Sequence, residues 1–218
     1  MYLVNALAFE AEWQSIYEKH QVRDRTFTTE SGTKRKVEMM YSGEHFYLDD
    51  GNATGFIKYY AGRKYAFAAL LPNEGTSVSD YVMTLTGEGL YKLLTSPVNI
   101  SVDAGLPKFE FEYGTELSET LSSMGMSDAF DANLADFTGL GVSSAGNIFI
   151  NRVIHKTYIK VGERGTKAGA ATVVEMTDGA AAEPLEAKSV VLDRPFVFML
   201  IDAETCLPFF IGTVMDID

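Results

Sequence analysis

The stretch from Glu163 to Val174, Glu-Arg-Gly-Thr-Lys-Ala-Gly-Ala-Ala-Thr-Val-Val, is built almost wholly of Gly, Ala, Thr and Val and holds no Pro or Asn. At a strand period of two, Thr166, Ala168, Ala170, Thr172 and Val174 share one face, while Lys167 and Glu175 fall on the other with Gly169, Ala171 and Val173. A segment of this kind can enter a sheet as an interior strand because no bulky side chain blocks its way. It has too little apolar bulk to nucleate a core by itself. The run Asp178 to Pro184 behind it has the composition of a loop. An ordinary Ala/Gly-rich linker would have the same composition, so the stretch admits both readings.

The surroundings decide what such a segment serves. With 218 residues, 46% of them apolar, 14 Phe and 11 Tyr, the chain predicts a folded, strand-rich structure with a sizeable core rather than disorder. A formal net charge of -12 makes a nucleic-acid backbone an unsuitable partner. The single cysteine, Cys206, excludes an internal disulfide framework and leaves the redox compartment open. No apolar run is long enough for a membrane-spanning helix. The N-terminus lacks the basic-then-apolar pattern of a signal peptide and begins directly in strand-like sequence, as expected of a chain lacking its beginning.

In chain order, Tyr2–Phe9 is apolar on both faces apart from Asn5 and predicts a largely buried strand in which Asn5 needs a polar partner. Arg35–Met40, His45–Leu48, Gly55–Tyr60 and Tyr65–Leu71 predict short strands of an antiparallel meander, broken by turn residues. Val78–Leu85 and Gly87–Leu94 predict helices, Val98–Val102 and Lys108–Tyr113 strands, and Glu116–Met124 a helix capped by Gly114-Thr115. Asn147–Val161 predicts a long strand, and Phe196–Ile201 with Phe209–Val214 a hairpin. The whole forms an α+β chain dominated by sheet, organised as one domain over residues 1–218.

Catalytic and metal motifs find no support. Gly141-Val142-Ser143-Ser144-Ala145 fails the nucleophile-elbow pattern at its last position. Gly162 to Lys167 lacks phosphate-loop spacing. Asp128, Asp131 and Asp136 lack calcium-loop spacing, and His20, His45 and His155 lack that of a metal pair. Neither an enzyme nor a cofactor is predicted.

Several blocks together resemble the serpins, inhibitors of serine and some cysteine proteases, and most closely the bacterial-type inhibitory members. Leu3-Val4-Asn5-Ala6-Leu7-Ala8-Phe9-Glu10-Ala11-Glu12-Trp13 is similar to the third strand of the serpin main sheet. Leu106-Pro107-Lys108-Phe109, Met124 to Phe130 and Ala135 to Gly139 resemble the family signatures that follow. Val153-Ile154-His155-Lys156 leads into Glu163-Arg164-Gly165-Thr166, which resembles the proximal hinge. Asp193 to Phe198 and Phe209 to Gly212 resemble the closing strands. The blocks are collinear with the family over nearly the whole chain.

The resemblance implies a main sheet, smaller antiparallel sheets, a few short helices and an exposed reactive-centre loop at about residues 163–191. It implies suicide inhibition: a serine protease attacks the loop, an acyl-enzyme forms, and the cut loop inserts into the main sheet with the protease attached. A dozen or so new strand hydrogen bonds at ~1 kcal/mol each would supply roughly 10 kcal/mol. Glu163, Gly165, Thr166, Ala168, Gly169, Ala170, Ala171 and Thr172 correspond to the hinge, with Lys167 and Gly169 departing mildly from the usual pattern. Asn5 and His155 correspond to the polar "shutter" and Trp13 to the "breach", where insertion begins. Counting forward from Glu163 reaches Gly179, and counting back from Leu192–Phe196 points nearer Pro184. The scissile bond is therefore expected within Gly179, Ala180, Ala181, Ala182 and Glu183, which suits an elastase-like or subtilisin-like protease. A location outside the cell or at its surface follows from the family alone. Complete serpins are considerably longer, so this chain corresponds to the C-terminal portion, without the N-terminal helical part. The full-length form is expected to be a monomer, and the portion alone to associate with the missing part or with itself. A non-inhibitory serpin with a binding, carrier or chaperone role, or an inactive fragment, is the alternative.

Overall fold

The computed structural model describes residues 1–166 and 187–217. In chain order the strands are β1 (Tyr2–Leu7), β2 (Ala11–Glu12), β3 (Val22–Thr28), β4 (Lys34–Asp49), β5 (Ala53–Tyr59) and β6 (Tyr65–Pro72). Helices α1 (Val78–Thr84) and α2 (Gly87–Thr95) follow, then β7 (Val98–Pro107), β8 (Phe109–Glu116), α3 (Ser118–Leu121) and α4 (Ser127–Phe130). The chain continues through β9 (Arg152–Gly162), β10 (Gly165–Thr166), β11 (Lys188–Val191), β12 (Phe196–Asp202) and β13 (Pro208–Val214). Two compact units result, Met1–Phe9 with Glu110–Ile159 and Glu10–Phe109 with Lys160–Asp218.

In the larger unit the strands follow the order β11-β7-β4-β5-β6-β12-β13, with β3 also paired to β4. All these pairings are antiparallel except β11 with β7. The expected meander is β4-β5-β6, and the expected hairpin is β12-β13. Both β6 and β12 are continuous apolar runs because both of their faces are covered. Ala66, Ala68 and Leu70 of β6 join Val197, Met199 and Ile201 of β12 against Val78 and Tyr81 of α1 and Leu94 of α2. The opposite face is aromatic: Phe67 stacks on Phe198 at 5.9 Å, and Phe198 meets Phe109 and Phe210. Both helices start at capping hydroxyls. Ser77 accepts from the Asp80 amide and Thr86 from the Gly89 amide.

Three expectations need correction. The two strands expected at Arg35–Met40 and His45–Leu48 are one strand, β4, because Tyr41, Ser42 and Gly43 pair with Gly105, Ala104 and Asp103. A register irregularity between Glu44 and Phe46 bends the strand without breaking it. The helix expected at Glu116–Met124 begins later. Gly114, Thr115 and Glu116 belong to β8, and the Glu116 carboxylate accepts the Ser118 amide at 3.0 Å at the head of α3. A wide turn over Ser122–Met126 then ends α3, with Gly125 at φ +108°, a conformation available to glycine.

The third correction concerns β1, expected to be largely buried. In the smaller unit β1 pairs in parallel with β9, from Tyr2 opposite Arg152 to Leu7 opposite Thr157. Among the described residues β9 is its single strand neighbour, and most of its side chains stand exposed. Tyr2 is 64% and Val4 68% exposed.

Candidate functional site

Among the described residues strand β10 comprises Gly165 and Thr166, and it is held on both sides. Gly165 and Thr166 pair antiparallel with Glu12 and Ala11 of β2, and with Gly162 and Val161 of β9. Glycine is required at 165: the backbone stands at φ +152°, and a Cβ there would run into the Ala11 carbonyl oxygen. The next residue turns inward. Thr166 is 1% exposed, and its hydroxyl shares a buried 2.6 Å hydrogen bond with the Tyr60 phenol. Burial drives the Tyr60 phenol pKa far above its ordinary range.

The turn ahead of β10 is gripped by its backbone carbonyls. The Trp13 indole Nε1 donates to Gly162 O at 2.9 Å, the Trp13 amide to Arg164 O at 2.8 Å, and the Tyr17 amide to Glu163 O at 2.9 Å. Ion pairs add to the grip. Arg164 donates from Nε and Nη2 to one Glu12 carboxylate oxygen, and Lys108 pairs with both Glu163 and Glu38. Burial acts against the Glu163 carboxylate, but the hydrogen bond and charge of Lys108 outweigh it and hold the carboxyl below the usual range.

Beneath this grip lies an aromatic seat. Trp13, 2% exposed, stacks on Tyr60 at 4.4 Å and meets Phe67 edge-on at 5.9 Å. Lys58 of β5 reaches into it from the sheet. Its Nζ lies 4.4 Å from the Tyr17 ring centroid and 5.5 Å from that of Trp13, and pairs with Glu44 at 2.9 Å. Glu44 also accepts from the Ser42 hydroxyl, whose oxygen lies 3.2 Å from the Tyr17 hydroxyl and can accept its proton. Burial opposes the Lys58 charge, but Tyr17 and Glu44 more than offset it and raise the ammonium pKa. Burial likewise raises the Tyr17 phenol.

The predicted hinge residues Glu163, Gly165 and Thr166 and the predicted breach residue Trp13 therefore meet in one place. Ala168, Gly169, Ala170, Ala171 and Thr172 of the hinge, and Gly179, Ala180, Ala181, Ala182 and Glu183 of the cleavage region, lie outside the described residues. At the far end of the expected 163–191 loop, residues 188–191 are already strand β11, with Lys188 opposite Val102. In the smaller unit the register sets Asn5 opposite His155. Asn5 is exposed, however, and no hydrogen bond joins the two side chains among the described residues. The buried partner expected for Asn5 is not formed because β1 is an uncovered edge strand. Sequence reasoning missed Lys58, Glu44 and Tyr17. The one available signal was a lysine inside the apolar run Gly55 to Tyr60.

Comparison with known proteins places this arrangement. The family described as serpin (serine protease inhibitor) matches residues 1–217. The chain is 34% identical to Serpin B10 of Bos taurus over 205 residues, covering 92% of this chain and 50% of that protein. It is 33% identical to an uncharacterized serpin-like protein of Thermococcus kodakarensis, covering 98% of this chain and 49% of the other. The chain thus spans about half the length of the curated relatives it matches. Among solved structures, the thermophilic serpin tengpin in its native state is 49% identical with a TM-score of 0.90, covering 99% of this chain and 55% of that one. Tengpin in its latent state gives a TM-score of 0.80 at 47% identity, covering 96% of this chain and 55% of that one. With the family matched over residues 1–217, the chain belongs to the serpins.

Proposed function

We propose that this chain is the loop-bearing portion of a serine-protease inhibitor that works by suicide trapping. The observation that carries the reading is the seating of Gly165 and Thr166 between β2 and the end of β9, with the Thr166 side chain facing inward. Insertion of a cut loop needs that start: two residues already in register, followed by alternating small residues from Ala168 to Val174. Trp13 and the Lys108–Glu163 pair hold the start in place, and so serve as the breach. Asn5 and His155, opposite each other on β1 and β9, fill the shutter role, and the exposed face of β1 is where the remainder of a full-length serpin packs. The cleavage region Gly179 to Glu183 suits an elastase-like or subtilisin-like target, acting outside the cell or at its surface. No helix among the described residues is long and apolar enough to cross a membrane.

The test is to mix the full-length protein with an elastase-like protease and resolve the products by SDS gel electrophoresis. A complex that survives denaturation, with cleavage mapped by mass spectrometry inside Gly179–Glu183, is the expected result. Clean cleavage without a complex overturns the inhibitory reading and favours a non-inhibitory serpin. That second reading draws on the likeness to human thyroxine-binding globulin solved with its ligand, at 26% identity and a TM-score of 0.82. Heat stability separates the two, since an inhibitor gains markedly after loop cleavage.

A further inference from the structure

Lys58 is a cation in a place that favours apolar residues. It is 2% exposed, flanked on β5 by buried Phe56 and Ile57, and faces Trp13 and Tyr17. An unpaired charge there would be costly, and Glu44 is the group that makes it tolerable. Replacing a buried pair by apolar residues is often neutral or stabilising, so stability alone does not account for this one. What the pair does structurally is specific. The Lys58 ammonium is the common point on which the Trp13 and Tyr17 rings rest. Those two residues in turn donate three hydrogen bonds to the carbonyls of Gly162, Glu163 and Arg164. The Gln14 amide ties the same segment back to Tyr59 O at 3.0 Å, one residue beyond Lys58.

We propose that Lys58, held by Glu44, is a positioning residue that sets how readily the turn at 162–164 releases β10. It works through Trp13 and Tyr17 and touches neither the loop nor a protease. Without its charge the two rings keep their apolar contacts but lose the element that fixes where they sit. The amides that grip the turn then open more often, and the hinge moves before a protease has cut the loop. This inference rests on the trapping mechanism proposed above for its functional consequence, but not for its structural content.

The experiment compares the full-length wild-type protein with the double variant K58M/E44Q, which removes both charges and strands neither, and with K58R, which retains the cation. Hydrogen–deuterium exchange is read over residues 12–18, with β12 as the internal reference. The expected result is exchange about tenfold faster at the Trp13, Gln14 and Tyr17 amides of K58M/E44Q, equivalent to about 1.4 kcal/mol of lost hold. Exchange in β12 stays unchanged, and K58R behaves as wild type. On standing uncut, K58M/E44Q also loses protease-trapping capacity about tenfold faster. Exchange at 12–18 that matches wild type, or that rises only as much as in β12, overturns the inference, because a purely structural pair would loosen the sheet evenly. Should the wild-type protein trap no protease, the inhibitory reading falls, and the exchange comparison alone decides the role of Lys58.

Discussion

The Tyr60 phenol and the Thr166 hydroxyl meet at 2.6 Å in a buried hydrogen bond, joining the connection between β5 and β6 to the inward-facing second residue of β10. Removing one partner of such a bond leaves the other short of a contact that water cannot replace. Tyr60→Phe keeps the ring on Trp13 and deletes only the hydroxyl. It is expected to cost about 1–3 kcal/mol, read as a lower urea midpoint with an unchanged slope. An unaltered midpoint would show that the bond contributes nothing to folding.

Thr166→Arg tests function at the same position. Thr166 is buried against the Tyr60 phenol, and a guanidinium could take its place only by burying an unpaired charge. The expected outcome is an inhibitor turned substrate: the loop is cut at the wild-type rate, and no SDS-stable complex accumulates. Recovery of that complex from the variant would refute insertion beginning at residue 166.

Gly165→Ala is expected to be harmful out of proportion to its size. The backbone at φ +152° disfavours any side chain by about 1–3 kcal/mol, and the added Cβ meets the Ala11 carbonyl as well. Urea unfolding of the full-length protein should show the loss, and a second substitution, Gly141→Ala, gives the comparison. Gly141 also has positive φ but open space around its Cβ position, so its variant carries the backbone cost alone.

The Lys108–Glu163 pair gives a pH dependence with a definite sign. The folded carboxyl titrates below its ordinary value of 4.5, so the native state binds the proton more weakly than the unfolded chain. The contribution is fully present above pH 4.5 and is lost as pH falls through the lower folded value. Both side chains are partly exposed, which limits it to about 1 kcal/mol. Stability of wild type minus Glu163→Gln, measured from pH 7 downward, should be flat to near pH 4.5 and then shrink. A difference that grew on acidification would reverse the assignment.

Much of the architecture was legible in the residues themselves. Helices α1 and α2 and the β12-β13 hairpin follow from local periodicity and capping, which act over a few residues. What escaped depends on partners distant in sequence. The Tyr41–Gly43 segment looks like a break until β7 pairs with it. Asn5 looks buried because its strand is apolar on both faces, yet what covers a strand is not written in the strand. Lys58 is the clearest case: its partner Glu44 lies on another strand beyond the turn at Asp50–Asn52, and the rings above it come from residues 13 and 17. Nothing in the local pattern of β5 announces that one of its buried positions carries a charge.

The placing of β12 has a further consequence. It lies between β6 and β13, with Phe196 to Ile201 buried, and β11 ahead of it is clasped by β7. A cut anywhere in Gly179–Glu183 therefore severs the chain without freeing either piece. The downstream peptide contributes an interior strand of the sheet and leaves only if the sheet is dismantled. The nicked protein is thus a two-chain assembly that migrates as one species under native conditions and parts into two only when denatured. Cleavage changes the connectivity of the molecule while its composition stays whole.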